Sequence, residues 1–244
     1  MDGTQVYIVN EHIRLRIVTL SNVLDEIASV RKFTDDEREM FGFAALLSAA
    51  LASDIKDDDG SILTSLRLPM TQRCFTAFCE TDGRLRGYAD TKEPDPLIDG
   101  SYLLTVGRRL AVRGDYTSTV SGSTALDAAK AYYTNSNQTK ADMIYRPGTV
   151  SRLFVAEYLP GHDVNTVESK DAKLEDKIGE LSRVLADAAV NPDNPGGEFQ
   201  NFIPLTYGCT CSKRKLRVIL EEQNIGVTDG TEAECRLCGK VYRF

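Results

Sequence analysis

The sequence predicts an α+β protein. An N-terminal domain of antiparallel sheets packs around a buried helix, a helical connector follows, and a small C-terminal four-cysteine zinc module ends the chain. Three observations predict this. Strand-like alternation and helical periodicity are interspersed without the regular βαβ order of a doubly wound fold. One helix, behind Thr34, is apolar nearly all round and so belongs inside a core. Four of the six cysteines crowd into residues 209–238.

In chain order, Gln5–Val9 and Ile13–Thr19 alternate as two strands, with Asn10-Glu11-His12 as their turn. Ser21 is placed to cap a helix carrying Val23, Leu24, Ile27 and Val30 on one face. Thr34-Asp-Asp-Glu37 is a capping box, because each end of it can satisfy a backbone N–H at the other. The helix behind it carries Phe41, Phe43 and a run of Ala and Leu to Leu51. Asp57-Asp-Asp-Gly60 is acidic, but it lacks the spaced oxygen ligands of a calcium loop. A meander follows: Ser61–Leu68, Cys74–Glu80 and Arg84–Ala89, broken at Pro69-Met70-Thr71 and at Thr81-Asp-Gly83, where Asp-Gly signals a hairpin. Cys74 and Cys79 differ by an odd number, so a strand sends them to opposite faces as ordinary small core residues.

Tyr102–Val106 and Leu110–Tyr116 read as a further strand pair, with Arg108, Arg109 and Arg113 on an exposed face. Ser121–Tyr133 reads as a helix capped by Ser121 or Ser123. Ala141–Tyr145 and Val150–Tyr158 read as strands that close the first domain. Pro160-Gly161-His162 ends that domain, and His162 is read as a loop residue. Leu174, Ile178, Leu181, Val184, Leu185 and Ala188 give an amphipathic helix over Asp171–Ala189. Asn191–Gly197 is breaker-rich and reads as a flexible joint, and Phe199–Leu205 leads into the tail. The expected division is a core domain over residues 1–162, a helical connector and flexible linker over 163–205, and a metal module over 206–244.

The module is defined by Cys209-Thr-Cys211 and Cys235-Arg-Leu-Cys238-Gly239. Four sulfurs in two short-spaced pairs suit one tetrahedral Zn2+, which makes Cys209, Cys211, Cys235 and Cys238 the candidate ligands. Gly239 can take positive φ and turn neighbouring N–H groups toward the sulfurs. A mostly polar tail of this size buries little, so the metal would supply its folding energy, about 10–16 kcal/mol for structural zinc. Two roles suit such a site. It can be a structural knuckle, or it can be a redox switch whose thiolates react with oxidants and close on one another once the metal leaves.

Composition narrows the function. The 244 residues carry a net charge of −7, which argues against nucleic acid as main partner. The tail is a mild exception, and its Lys213-Arg214-Lys215 run reads as a solvated helix start. There is no membrane-length apolar run and no basic-then-apolar leader pattern, so a soluble cytoplasmic protein is expected. Two histidines in predicted turns, no P-loop and no Gly-x-Gly-x-x-Gly leave no catalytic constellation, and the chain is read as a non-enzyme.

The assembled pieces resemble the heat shock protein 33 family of redox-regulated chaperones. The residues that carry the resemblance are Cys209-Thr-Cys211-Ser212, Cys235-Arg-Leu-Cys238-Gly239-Lys-Val-Tyr242-Arg-Phe244 and the strand Leu85-Arg-Gly-Tyr88-Ala. The resemblance implies an ATP-independent holdase for unfolded or partly unfolded client proteins. Zinc would be held by the four cysteines in the reduced, inactive form. Oxidation would release it, form disulfides Cys209–Cys211 and Cys235–Cys238, unfold module and connector, and permit a homodimer. The connector and the stretch between the cysteine pairs are shorter than is usual for that family. The alternative is a constitutive partner- or RNA-binding protein with a purely structural zinc knuckle.

Overall fold

A computed structural model describes residues 1–56, 59–69, 73–91, 100–110, 114–159 and 172–244, with side chains of the last segment described from Gly179. Strands β1 (Gly3–Val9) and β2 (Ile13–Leu20) form the first hairpin. Asn10 and Glu11 both adopt left-handed φ, 50° and 63°, and His12 N–H returns to the Val9 carbonyl at 3.3 Å. Two left-handed central residues make the type I′ turn whose twist matches a hairpin.

Helix α1 (Asn22–Arg31) starts at Ser21 as expected, but the Ser21 side chain does not cap it. The Asp2 carboxylate does so instead, accepting from Ser21 N and Oγ at 3.0 and 2.7 Å and from Val23 N at 2.7 Å. A carboxylate at a helix N-terminus also meets the positive end of the macrodipole. Helix α2 (Asp35–Ala52) carries the full Thr34–Glu37 capping box and is buried continuously from Phe41 to Ala52.

The six-stranded sheet contains β3 (Ser61–Arg67), β4 (Arg73–Glu80), β5 (Arg84–Thr91), β6 (Tyr102–Leu110) and β7 (Gly114–Gly122). β7 lies later than the sequence suggests. Leu110 belongs to β6, and Ser121 and Gly122 are still strand, because β6 and β7 pair without a slip from Tyr102↔Gly122 to Leu110↔Gly114. Helix α3 (Ala125–Tyr132) therefore starts later and is capped by Thr124, which accepts from Asp127 N at 3.0 Å. Arg109 is exposed, but Arg108 is not on an open face: it donates to the Tyr132 hydroxyl at 2.9 Å and to Asn137 at 2.6 Å. Arg113 lies outside the described residues, as do Met70 and Thr71 of the expected turn, Asp57 and Asp58, and Pro160-Gly161-His162.

The second sheet runs β10-β1-β2-β9-β8, with β8 (Ala141–Arg146), β9 (Ser151–Tyr158) and β10 (Glu198–Pro204). β10 departs from the expected flexible lead-in. It pairs with β1 from Gly3↔Pro204 to Ile8↔Glu198, and Phe199 meets the Tyr7 ring edge-on at 5.6 Å.

Alternation along β2 and β9 builds two cores. Val18, Leu20, Leu153 and Val155 face α2, which lies between the two sheets. Ile13, Leu15, Ile17, Phe154, Ala156 and Tyr158 face the other way and meet Leu181, Val184, Leu185, Ala188 and Ala189 of helix α4 (Ala172–Val190). The side chains of Leu174 and Ile178 lie outside those described. The layers are thus α4, five-stranded sheet, α2, six-stranded sheet.

Double coverage buries a charge. Arg16 is 0% exposed and donates to Glu157 at 2.9 Å, to Asp54 and, through Nε, to Ser53 at 3.1 Å just past the α2 C-terminus. Burial alone would lower the guanidinium pKa, but the two carboxylates outweigh it and raise it.

Gly87 on β5 is a point of close approach between β4, β5 and α2. A side-chain carbon there would lie 2.3 Å from the Thr76 carbonyl oxygen and 2.4 Å from the Phe41 ring. Gly87→Ala is expected to destabilise the fold by about 1–3 kcal/mol through overpacking. Urea denaturation reads this directly, and an unchanged midpoint would show that the β5–α2 contact is looser than described.

Candidate metal centre

The tail re-enters the core before it reaches the cysteines. Strand β11 (Thr206–Tyr207) pairs in parallel with β5 at Arg84 and Leu85, and Gly208 N–H binds the Leu85 carbonyl at 3.1 Å. Cys209 and Cys211 follow. Ser212 then caps helix α5 (Lys213–Glu222), accepting from Lys215 N at 3.2 Å, so the Lys213-Arg214-Lys215 run is a helix start as expected. Strands β12 (Glu232–Glu234) and β13 (Val241–Arg243) form a small hairpin around the second pair.

That pair sits in a tight turn. Cys235 N–H binds the Lys240 carbonyl at 2.8 Å, and Gly239 N–H binds the Cys235 carbonyl at 2.8 Å. Gly239 takes φ 73°, the left-handed conformation expected of it. The ring of Phe244 lies under Lys213 and Arg217, at 5.4 and 5.5 Å, and ties the C-terminus to α5.

The four sulfurs converge within 4.8 Å of one another, as free thiols. Cys209 and Cys235 lie 3.8 Å apart, and Cys211 and Cys238 lie 3.3 Å apart. A tetrahedral ion with Zn–S bonds of about 2.3 Å would set its sulfurs ~3.8 Å apart. Four soft donors at this spacing fit a zinc-like ion.

The Tyr242 hydroxyl backs the site, 3.0 Å from the Cys211 carbonyl oxygen and 3.1 Å from its sulfur, within hydrogen-bonding reach of either. Burial pushes the Cys209 thiol up to about 11 and also raises Cys238. Burial opposes ionisation of Cys211 too, but hydrogen bonds from Tyr242 and the neighbouring sulfurs outweigh it and bring that thiol down to about 7.

The other predicted residues fall elsewhere. Cys79 lies in the main core against α2, while Cys74 points to the opposite face and touches Ser65 at 2.9 Å. His12 is in its turn as expected, but its ring also stacks on Tyr158 and meets Glu180 of α4 at 3.1 Å. Sequence reading missed Arg31. Its Nη2 donates to the carbonyls of Cys235, at 3.2 Å, and Arg236, and its Nε donates to the Gly87 carbonyl at 3.3 Å. Nothing in the local sequence marks an arginine at a helix end as a partner of residues two hundred positions away.

The family model described as Hsp33 protein matches residues 3–244. The solved structure of a 33 kDa chaperonin, the heat shock protein 33 homolog of Thermotoga maritima, superposes with a TM-score of 0.73 at 18% identity. The match covers 100% of this chain and 95% of that one, and at this identity it speaks to the fold. No curated protein matches the chain. Among the described residues no helix is long and apolar enough to cross a membrane.

Burial raises the Cys79 thiol pKa to about 12, with Asp82 and Glu80 adding to the shift. At pH 8 roughly one part in ten thousand of it is thiolate, the reactive form. Alkylation of folded, chelator-treated protein at pH 8 should therefore label tail cysteines and spare Cys79, as read by peptide mass spectrometry. Labelling of Cys79 at a rate like that of Cys211 would contradict its burial.

Proposed function

The chain belongs to the Hsp33 family of chaperones, and on that premise we propose that it is an ATP-independent, redox-regulated holdase of the cytoplasm, without enzymatic activity. The observation that carries this reading is the convergence of Cys209, Cys211, Cys235 and Cys238 in a module with almost no core. When bound, Zn2+ would keep the four sulfurs as thiolates and supply folding energy to residues 206–244.

Oxidation would act on the protein's own groups. Each pair of thiols gives up two electrons and two protons to one peroxide, which leaves as two waters, and a disulfide forms. The pairs proposed are Cys209–Cys211 and Cys235–Cys238. The close approaches Cys209–Cys235 and Cys211–Cys238 make cross-linking between the pairs the competing outcome. Once the sulfurs are consumed, little holds the module folded.

The client surface follows from the layers. Residues 163–205 act as the connector between the core (1–162) and the module (206–244). Within the connector, α4 covers Ile13, Leu15, Ile17, Phe154 and Tyr158 with its Leu181, Val184 and Leu185. Among the described residues its polar attachments are Glu180 to Tyr158, His12 and Asn10, each at 3.1 Å, Ser182 to Asp142 at 3.0 Å, and the Ala189 carbonyl to Arg146 at 2.6 Å. Release of α4 would expose both apolar faces, which suits unfolded polypeptide as the partner and leaves a sticky surface through which activated copies could dimerise.

One observation favours a second reading, in which zinc is purely structural and binding is constitutive. β10 is hydrogen-bonded into the five-stranded sheet rather than free, so part of the connector is anchored. Zinc stoichiometry, thiol count and aggregation of a heat-unfolded client, measured before and after peroxide, separate the two. The holdase reading expects about one zinc per reduced chain, loss of zinc and tail thiols on oxidation, and suppression of aggregation only afterwards. Equal suppression in both states would establish the constitutive binder. Cys209→Ser and Cys238→Ser should each lower bound zinc, and unchanged zinc in either would remove that residue from the ligand set.

A further inference from the structure

The metal turn faces the core with its carbonyl groups, and the core meets them with donors. Arg31, at the end of α1, donates to the Cys235 and Arg236 carbonyls and lies 3.5 Å from the Glu234 carboxylate. Its own Nε is fixed on the Gly87 carbonyl of β5. Tyr207 of β11 donates its hydroxyl to the Cys238 carbonyl at 3.3 Å. In the other direction, Arg236 projects from the turn, lies 4.5 Å over the Tyr88 ring and pairs with Asp90, both on β5. Val30 fills the space beside Gly239.

These contacts share one requirement. The carbonyls of residues 235, 236 and 238 meet these donors together in the wound Cys235–Gly239 turn, and the Cys235 carbonyl also accepts the Gly239 N–H that closes it, so unwinding the turn would break the set. A planar guanidinium can bridge two such carbonyls and a third on its far side, and a lysine ammonium on a flexible stem cannot hold that pattern.

We propose that α1, β5 and Tyr207 form a receptor for the wound metal turn, with Arg31 as its positioning residue. Docking and metal retention are then coupled. The receptor binds the wound turn and not the unwound one, so it holds the turn in its metal-binding shape. By reciprocity, metal in the site strengthens docking of the module on the core. Loss of the metal is thereby felt at α1 and β5 and not only within the tail. The inference rests on the four-cysteine metal reading, yet its geometry is independent of oxidation chemistry.

The test uses the full-length chain as wild type, Arg31→Ala, Arg31→Lys, Arg236→Ala and the control Arg183→Ala on α4. Two readouts are taken: zinc affinity by competition with a chromophoric chelator, and hydrogen exchange of amides 235–239. Arg31→Ala and Arg31→Lys should weaken zinc binding about tenfold, a usual size for coupled sites, and speed exchange in the turn. Arg236→Ala should act in the same direction, and Arg183→Ala should do neither. If Arg31 variants keep wild-type affinity and wild-type exchange, the receptor is wrong. If the wild type binds no zinc, the metal reading fails. The receptor is then judged on exchange alone, and stands only if Arg31→Ala still loosens the turn.

Discussion

Residues 206–244 have too little apolar material to fold by burial. Only Leu216 and Cys235 are buried there, while Val218, Ile219, Ile225 and Val241 are about half exposed. A segment of this size with so small a core sits below what hydrophobic burial can stabilise. Its order must come from elsewhere, and the structure shows where. The four sulfurs meet at one point, Phe244 is held under two cations of α5, and the turn at Cys235–Gly239 rests on Arg31 and Tyr207. A module stabilised by one cluster and one contact surface can be undone at one place, which a module with its own core cannot.

The core domain is built on the opposite principle. α2 is buried from Phe41 onward, and the sheets on either side enclose it so closely that β5 must carry glycine at 87. From the tail it takes the short strand β11 and the Tyr207 ring against its edge. The five-stranded sheet differs, because among the described residues its second face is covered by α4. That face is as apolar as the one against α2, so the sheet reads as an interior surface whose cover is a single helix. The buried Arg16–Glu157–Asp54 group lies on the α2 side, where it stays paired whether or not α4 is seated. Such a cluster adds little net stability but would be costly to break, so it belongs on the permanent side.

Much of this was legible in the sequence, for local reasons. The capping box at Thr34, the apolar run behind it and the Asp-Gly hairpin at Asp82 all act over a few residues, and each took the form expected of it, while the two close-spaced cysteine pairs converge at one point. What was not legible is non-local. Asp2 caps α1 only because β1 runs beside the end of β2. Glu198–Pro204 looks like a lead-in because half its side chains are polar, but an edge strand needs only a backbone partner, and β1 supplies one. Arg16 occupies an alternate position that a one-faced strand would expose, and only coverage of both faces buries it. The limits of β7 are hidden because Thr117-Ser-Thr119 carries β-branched residues without apolar alternation, so its register with β6 sets them.

The division of chemistry between the two covers has a consequence for control. The described part of α4 is seated mainly by apolar contact, which is non-directional, with Glu180, Ser182 and the Ala189 carbonyl as polar ties. The metal turn is held by sulfur and by hydrogen bonds to three carbonyls, all of which require one backbone shape. On the proposed reading, thiol oxidation acts on the second of these. For loss of the turn to affect the first, the intervening chain must carry the change. That chain is short: β11 pairs with β5 over two residues, and β10 pairs with β1 at the edge of the very sheet that α4 covers. Unwinding the turn removes the Tyr207 contact at the end of β11, and β11 is continuous through Leu205 with β10. The path from the cysteine cluster to the sheet that α4 covers thus runs through two edge strands, each with one strand partner. On the proposed redox reading, a change at the four sulfurs reaches the α4-covered face of the five-stranded sheet along these two strands.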